Sequence, residues 1–272
     1  MQPKTVGEIS FWYADIGLPT PRAPLDGDTS ADVCIIGAGY TGLWTAYYLK
    51  KANPGLNVLV VEAEFAGFGA SGRNGGWLTG GFAWSHERYL AGSSRQAVRD
   101  MVTAMAGTVE EVIRVAQAEG IDADILRTDE VTVATNPAQM LRMTAEVAHR
   151  RGWGEDHVRQ IGAEEAKARV AVPGVLGAMV VGGVARVQPA KLVRGLALAV
   201  ERLGVRIAEG TRVLSLAKGA VTTDRGQVRA GVILRCTEGF TATLPGARRD
   251  WLPLNSAQIV TEPLAPDIWD KI

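Results

Sequence analysis

Apolar residues recur with two different periods along this chain, and the clearest switch between them lies in its first quarter. Residues 32–36 (DVCII) form a short apolar run of the strand type, and residues 57–61 (NVLVV) form a second one. Between them, Leu43, Ala46 and Leu49 recur at helical spacing. The pattern predicts a strand, a helix and a strand in succession, which is the repeating unit of a parallel sheet.

The remaining chain alternates between the same two patterns. Residues 1–31 contain Pro19, Pro21 and Pro24 and few apolar positions, so they predict an extended arm. Helices are predicted at 94–119, 137–151, 161–169 and 190–203. Strands are predicted at 125–128, 130–134, 175–184 (a pair broken by glycine), 204–207, 210–216, 220–223, 227–236 and 258–263, with a hairpin turn at 224–226.

A glycine-rich turn, residues 37–42 (GAGYTG), joins the first strand to the first helix. In this setting, Gly37 allows a tight turn, Gly39 lets the backbone approach a pyrophosphate, and Gly42 lets the helix pack close to the strand. Glu62 ends the second strand about 20 residues later, where a carboxylate accepts hydrogen bonds from a ribose. A glycine-rich turn that binds nothing would leave Glu62 unexplained. The stretch therefore predicts a dinucleotide site.

A second glycine-rich loop, residues 66–76 (AGFGASGRNGG), follows the acidic strand end and permits close approach to another part of a long ligand. Residues 35–49 (IIGAGYTGLWTAYYL) and 60–76 (VVEAEFAGFGASGRNGG) together resemble the N-terminal part of the FAD-dependent D-amino-acid oxidase-like (DAO) superfamily. Within it, the chain is most similar to amine and amino-acid oxidoreductases of the gamma-glutamylputrescine oxidase type. The likeness is strong at 32–76 and looser at 183–264, and residues 10–13 (SFWY) also fit.

The resemblance implies an α/β fold whose Rossmann-like FAD-binding domain is built from two separated segments. An α+β substrate domain is inserted between them and is incomplete in this sequence. The implied boundaries are an N-terminal arm at 1–31, the FAD-binding domain at 32–85 and 186–250, and the substrate domain at 86–185 and 251–272.

The same resemblance implies a set of contacts to FAD. The 37–42 turn would hold the pyrophosphate, Glu62 the adenosine ribose, and the 71–76 loop would approach the flavin. Arg73 would meet a phosphate or bias the flavin electronics, or else be an ordinary surface arginine. Val213 would lie against the adenine half, or else be a core residue. The implied cofactor-binding residues are Ile36, Gly37, Ala38, Gly39, Tyr40, Thr41, Gly42, Glu62, Ala63, Gly69, Ala70, Ser71, Gly72, Arg73, Asn74, Gly75, Gly76 and Val213.

In activity, the resemblance implies an FAD-dependent enzyme that oxidises the C–N bond of a primary or secondary amine or an amino acid, by hydride transfer to the flavin. This chemistry needs no nucleophile or metal from the protein, and no catalytic base is assigned. Family members usually continue well beyond this length, so one alternative is an inactive or weakly FAD-binding N-terminal fragment. Another is an FAD-dependent hydroxy-acid or glycerol-phosphate-type dehydrogenase of the same fold. Residues 235–239 (RCTEG) depart from the alanine–threonine–glycine type of turn that the family often has there.

Charge favours a small-molecule substrate over a polyanionic partner. Lys plus Arg equals Asp plus Glu at 29 each, which gives no electrostatic case for nucleic acid or an anionic membrane. No apolar run reaches the length of a membrane span, and the N-terminus does not predict a signal peptide.

The positions of the cysteines predict a protein of a reducing compartment, and the spacing of the histidines predicts a protein without a metal site. Cys34 and Cys236 each lie in an apolar run, which predicts small buried side chains without a disulfide and a cytoplasmic location. The histidines are His86, His149 and His157, and their spacing predicts no metal site. His86 follows the second glycine-rich region and is kept as a candidate for lining the ligand site. His149 is expected to be solvated at a helix end.

Overall fold

The computed structural model of the chain describes residues 9–252, 254, 256–261, 263–269 and 271–272. It divides into two units. The first contains the described residues up to Gly75, together with Ala116–Asp124 and Gln188–Gln258. The second contains Gly76–Val115, Ile125–Val187 and the described part of Ile259–Ile272. The assignment of FAD and substrate to separate domains, with its boundaries at 85/86, 185/186 and 250/251, stays a prediction.

Both units mix helices and strands. The strands are β1 (Thr29–Ile36), β2 (Val58–Val61), β3 (Trp77–Leu78), β4 (Leu126–Ala134), β5 (Val158–Gly162), β6 (Gly177–Arg186), β7 (Arg206–Ala208), β8 (Val213–Ala217), β9 (Ala220–Thr223) and β10 (Gly226–Arg235). The helices are α1 (Phe11–Ile16), α2 (Tyr40–Ala52), α3 (His86–Leu90), α4 (Arg95–Ala118), α5 (Pro137–Gly152), α6 (Ala163–Arg169), α7 (Pro189–Arg202) and α8 (Pro266–Trp269), with short 3-10 turns at Ala70–Gly72 and Glu238–Thr243.

The first unit is organised by a six-stranded sheet of order β7-β2-β1-β10-β9-β8. The first four strands are parallel, β9 pairs antiparallel with β10, and β8 pairs antiparallel with β9. All four residues of β2 are buried, as are Val33–Ile36 of β1, which is the pattern of central parallel strands covered on both faces. Helix α2 connects β1 to β2 and packs against α7. The predicted α/β class with a parallel sheet is confirmed.

The second unit contains a four-stranded antiparallel sheet with β6 at its centre. Strand β4 lies along one side of β6, and β3 and β5 pair with different parts of its other side. The register of β4 shifts between Thr128 and Glu130, which marks a bulge. The two strands predicted at 125–128 and 130–134 are therefore one strand interrupted by that bulge.

Three other sequence predictions are wrong. The 1–31 arm is not extended throughout, because α1 begins at the Ser10 cap and ends before Gly17, whose φ is +72°. The 175–184 segment is one strand, β6, rather than a glycine-broken pair. Residues 258–261 and 263 form no strand, and Glu262 lies outside the described residues.

None of the helices in the described part of the chain combines the length and the apolar character needed to cross a bilayer.

Candidate functional site

A cavity of the first unit lies where its central parallel strands end. Ile36, Val61 and Cys236 line it, and these residues end or follow β1, β2 and β10. In open parallel sheets, ligands bind at this carboxyl edge. Of the predicted site residues, the cavity is lined by Ile36, Gly37, Gly39, Tyr40, Thr41, Glu62, Ala63, Gly69, Ala70, Ser71 and Val213.

Two glycines of the 37–42 turn are required by close backbone packing. Gly37 has φ +102°, and a Cβ there would lie 2.5 Å from the Cys236 carbonyl oxygen. A Cβ on Gly42 would lie 2.1 Å from the Gly37 carbonyl oxygen and 3.1 Å from Ile35 Cγ2. Both carbonyl distances are far below an ordinary contact, so no larger residue fits without moving the backbone. Gly37 and Gly42 therefore have the tight-turn and close-packing roles expected from the motif.

The N-terminus of α2 opens onto this cavity. Its cap residue Gly39 has no side chain to satisfy the first N–H groups, and the Tyr40 N–H donates to Ser71 Oγ at 2.8 Å. A helix N-terminus offers N–H donors and a positive dipole end, both of which favour phosphate groups. The second glycine-rich loop thus touches the predicted phosphate position through Ser71.

Glu62 is held by backbone donors at the end of β2. Its carboxylate accepts from the Ala38 N–H at 2.9 Å and from the Glu64 N–H at 3.0 Å. Burial raises the pKa of the Glu62 carboxyl, and the two N–H bonds partly oppose that rise. The carboxylate is therefore fixed in orientation and keeps lone pairs for a ligand hydroxyl.

Seven predicted site residues do not line this cavity. Ala38 is fully buried, and Gly42 is enclosed by the turn itself. Arg73 donates from Nε to the Phe68 carbonyl at 2.6 Å, and its guanidinium lies 4.4 Å from the Phe68 ring centre. Burial lowers the pKa of Arg73, and its engagement with Phe68 differs from that of an ordinary surface arginine. The remaining four are Gly72, Asn74, Gly75 and Gly76, and their predicted roles at the flavin stay predictions.

Several lining residues were not predicted from the sequence. Four of them, Val61, Glu64, Gly67 and Phe68, lie among the predicted residues of the 60–76 stretch. The others come from two distant segments, the residues just before β8 and those from the end of β10 through the following 3-10 turn, and only the departure at 235–239 hinted at the second. Cys236 is half-buried rather than buried, because its residue faces this cavity. The unpredicted lining residues are Val61, Glu64, Gly67, Phe68, Thr211, Arg212, Cys236, Thr237, Glu238, Phe240, Thr243 and Leu244.

The charges around the cavity are mainly negative. Glu62, Glu64 and Glu238 supply carboxylates, and among the described lining residues Arg212 is the one cation. Arg212 already pairs with Glu64 at 3.2 Å. Backbone N–H groups, rather than an arginine clamp, are therefore the donors available to a phosphate here.

The three histidines lie in the second unit and none lines this cavity. His86 is buried, with its ring stacked on Trp153 and its Nε2 3.1 Å from Glu155. Burial lowers the pKa of His86. His149 is half-buried against His86, so the expectation that it is simply solvated is wrong. Among the described residues, no group of three or more His, Cys, Asp or Glu is arranged to hold a metal ion.

The cavity fits part of a dinucleotide. Its volume is about 210 Å³, which is below the range of complete small-molecule sites, about 300–1,000 Å³. The open helix N-terminus and the fixed Glu62 carboxylate match a diphosphate and its adjoining ribose. The lining residues therefore fit the adenosine diphosphate half of such a ligand.

The raised pKa of Glu62 predicts a pH-dependent stability in the cofactor-free protein. A carboxyl group whose folded pKa lies above its ordinary value of 4.5 stabilises the fold below that value, and this contribution is lost as pH rises through the folded pKa. The glutamine of Glu62→Gln does not titrate, so the thermal midpoint of the wild type should fall relative to that of the variant as the pH rises above 4.5. Parallel melting curves across this range measure the difference. A difference that stays constant would contradict the assignment.

A family profile described as FAD dependent oxidoreductase, abbreviated DAO, matches residues 32–271. Gamma-glutamylputrescine oxidoreductase of Escherichia coli K12 is 28% identical over 265 residues, which cover 95% of this chain and 61% of that protein. The structure of L-amino acid deaminase from Proteus myxofaciens superposes with a TM-score of 0.67 at 18% identity, covering 82% of this chain and 50% of the other.

A second solved structure, glycine oxidase from Geobacillus kaustophilus, has a TM-score of 0.60 and 23% identity. The superposition covers 76% of this chain and 55% of that one. At these identities the two structures show a shared fold. The chain spans about three fifths of the length of curated relatives that match most of it.

Proposed function

This chain belongs to the DAO family of FAD dependent oxidoreductases, and from that premise we propose that its cavity holds the adenosine diphosphate half of FAD. The supporting observation is that the Glu62 carboxylate and the open N-terminus of α2 line one cavity at the carboxyl edge of a parallel sheet. The N–H groups of the helix would receive the phosphates. Glu62 would accept hydrogen bonds from the adenosine ribose.

We further propose that the activity of the enzyme is oxidation of the C–N bond of a small amine or amino acid. This follows from the family and from relatives whose names include gamma-glutamylputrescine oxidoreductase and glycine oxidase. When bound, FAD supplies the two-electron acceptor for this chemistry. The part played by this chain's described residues is to bind and orient the nucleotide end. A cytoplasmic location stays a prediction.

The experiment that tests both proposals begins with the colour of the protein. Purified protein should be yellow and release flavin on denaturation. Anaerobic mixing with a panel of amines and amino acids should bleach the flavin, whereas α-hydroxy acids and glycerol phosphate should not. Bleaching by the alcohols alone would favour the dehydrogenase alternative, and a colourless protein that binds NAD would overturn the cofactor assignment.

A second question is whether residues 1–272 bind FAD and turn over substrate by themselves, because the chain covers 61% of gamma-glutamylputrescine oxidoreductase. The weakly binding fragment stays an alternative for residues 1–272 expressed alone. Sub-stoichiometric flavin and little amine-dependent reduction would support it. Stoichiometric FAD with a turnover of about 1–1,000 per second, which is ordinary for enzymes, would contradict it.

Glu238 is expected to weaken FAD binding. It has φ +44°, a conformation that favours glycine or asparagine, and it lines the cavity in which we place two phosphates. Glu238→Gln should tighten FAD about two- to fivefold, with the gain shrinking at high salt because the effect is Coulombic. Glu238→Gly should show the same gain and also raise the free energy of unfolding by about 1 kcal/mol by relieving strain. Fluorescence titration with FAD and with uncharged adenosine separates the two effects, since adenosine should bind all three proteins equally.

A further inference from the structure

Tyr13 of α1 is enclosed by the second glycine-rich loop. It is fully buried, and its hydroxyl donates to the Gly67 carbonyl at 3.2 Å. A Cβ on Gly67 would lie 2.8 Å from this hydroxyl oxygen, and one on Gly72 would lie 2.6 Å from it. The nearest atoms to such Cβ atoms are Val193 Cγ1 for Gly67 and the Gly67 carbonyl oxygen for Gly72, so both glycines are needed where the loop packs on Tyr13, on Val193 and on itself. The sequence alone suggested that the loop's glycines make room for a ligand.

Two more side chains of the same N-terminal segment bind the loop. Ser10 Oγ donates to the Gly72 carbonyl at 2.9 Å, and Trp12 Nε1 donates to the Asn74 carbonyl at 2.7 Å. With Tyr13, the three carbonyl contacts at 67, 72 and 74 fix the loop on one side. A loop of this glycine content has many alternative conformations when free, so these bonds restrict it to one.

The restricted loop reaches the predicted phosphate position. Ser71 lies between two of the anchored carbonyls and accepts from the Tyr40 N–H, at the first residue of α2. A displaced loop would move this oxygen relative to the helix N-terminus. The chain of contacts thus runs from Tyr13 through the loop to the donors proposed for the cofactor phosphates.

The hydroxyl of Tyr13 keeps its proton and can donate to the Gly67 carbonyl at neutral pH. Burial raises the pKa of Tyr13 to about 12, so it remains protonated at neutral pH. The ring packs edge-on against Phe65 at 5.3 Å and contacts Ala190. These ring contacts do not involve the hydroxyl, so they persist in Tyr13→Phe. The effect of that substitution therefore measures the hydroxyl group alone.

We propose that α1 is a strap that positions the second glycine-rich loop for cofactor binding, and that Tyr13 is its central positioning residue. The proposal rests on the proposed FAD site, because it assigns α1 an effect on affinity at that site. Tyr13 itself does not line the cavity among the described residues. Its influence therefore acts through the loop.

The test uses a matched pair of tyrosines. Tyr13→Phe removes the bond to the Gly67 carbonyl, while Tyr47→Phe removes a bond of 2.9 Å from another buried tyrosine of the same unit to Glu119, remote from the loop. Tyr13→Phe should raise the dissociation constant for FAD about three- to tenfold, the loss expected for one hydrogen bond. Tyr47→Phe should leave the dissociation constant for FAD unchanged, even if it lowers the thermal midpoint as much as Tyr13→Phe does.

Hydrogen exchange in the cofactor-free protein supplies an independent readout. Amides in residues 67–74 should exchange severalfold faster in Tyr13→Phe and at the wild-type rate in Tyr47→Phe. Equal exchange and equal FAD affinity in the two variants would overturn the strap. If the wild-type protein fails to bind FAD but exchange is faster in Tyr13→Phe alone, the proposed function is contradicted, while the positioning of the loop by α1 is supported.

Discussion

Replacing Gly42 by alanine should lower the free energy of unfolding by about 3 kcal/mol and abolish FAD retention. The added methyl group would lie 2.1 Å from the carbonyl oxygen of Gly37, which belongs to the turn that shapes the cavity. Neither the helix nor the turn can relax alone, because Ile35 Cγ2 lies at 3.1 Å on the strand side. Urea denaturation followed by circular dichroism, together with flavin content after purification, measures both losses.

Gly107 provides the control for this substitution. It lies inside α4, and a methyl group added there would meet no atom of the described residues within 4 Å, apart from its own helix and chain neighbours. Gly107→Ala should therefore stabilise the protein by up to about 1 kcal/mol through helix propensity. Similar losses in the two variants would show that glycine content, rather than close packing at Gly42, sets the effect.

The second large effect is expected at Glu209, whose side chain is fully buried. It accepts from the Arg22 backbone N–H at 2.7 Å, from Arg22 Nη1 at 2.8 Å and from the Ala66 N–H at 2.8 Å. Glu209→Ala leaves these donors without their acceptor and should cost about 3 kcal/mol, even though Glu201 still pairs with Arg22. Chemical denaturation measures the loss.

An exposed carboxylate serves as the comparison. Glu110 pairs with Arg127, and both side chains are more than half exposed. Surface pairs of this kind contribute little, so Glu110→Ala should leave the denaturation midpoint nearly unchanged. A comparable loss at both positions would contradict the reasoning from burial.

The sequence predicted those parts of the site that depend on neighbouring residues. Gly37, Gly42 and Glu62 lie within one strand–helix–strand unit, where periodicity and turn chemistry determine the arrangement. The α/β class was predicted from this unit together with the family resemblance of residues 32–76. These features are local, and the structure and the family match confirm the fold that they indicate.

The sequence did not reveal contacts made across long separations. Nothing near Tyr13 indicates that Gly67 and Gly72 close around it, and nothing near Phe240 indicates that it shares a cavity with Gly39. The helix at Phe11–Ile16 was missed because the prolines after it outweighed its Ser10 cap and Gly17 stop. The contacts of Tyr13 and Phe240 are set by tertiary packing, whereas the signals of this helix are local and were outweighed.

The pairing of β1 with β10 also has a consequence for the order of events during synthesis. Thr29 lies beside Val228, so about 200 residues separate two neighbouring strands of the central sheet. At translation rates of about 5–20 residues per second, β10 is synthesised roughly 10–40 s after β1. Until then the edge of β1 that pairs with β10 has no partner strand, and the part of the cavity lining that includes Cys236 has not been made. The proposed nucleotide site is thus completed only after β10 has been synthesised, and during this delay the unpaired edge of β1 needs other protection against aggregation.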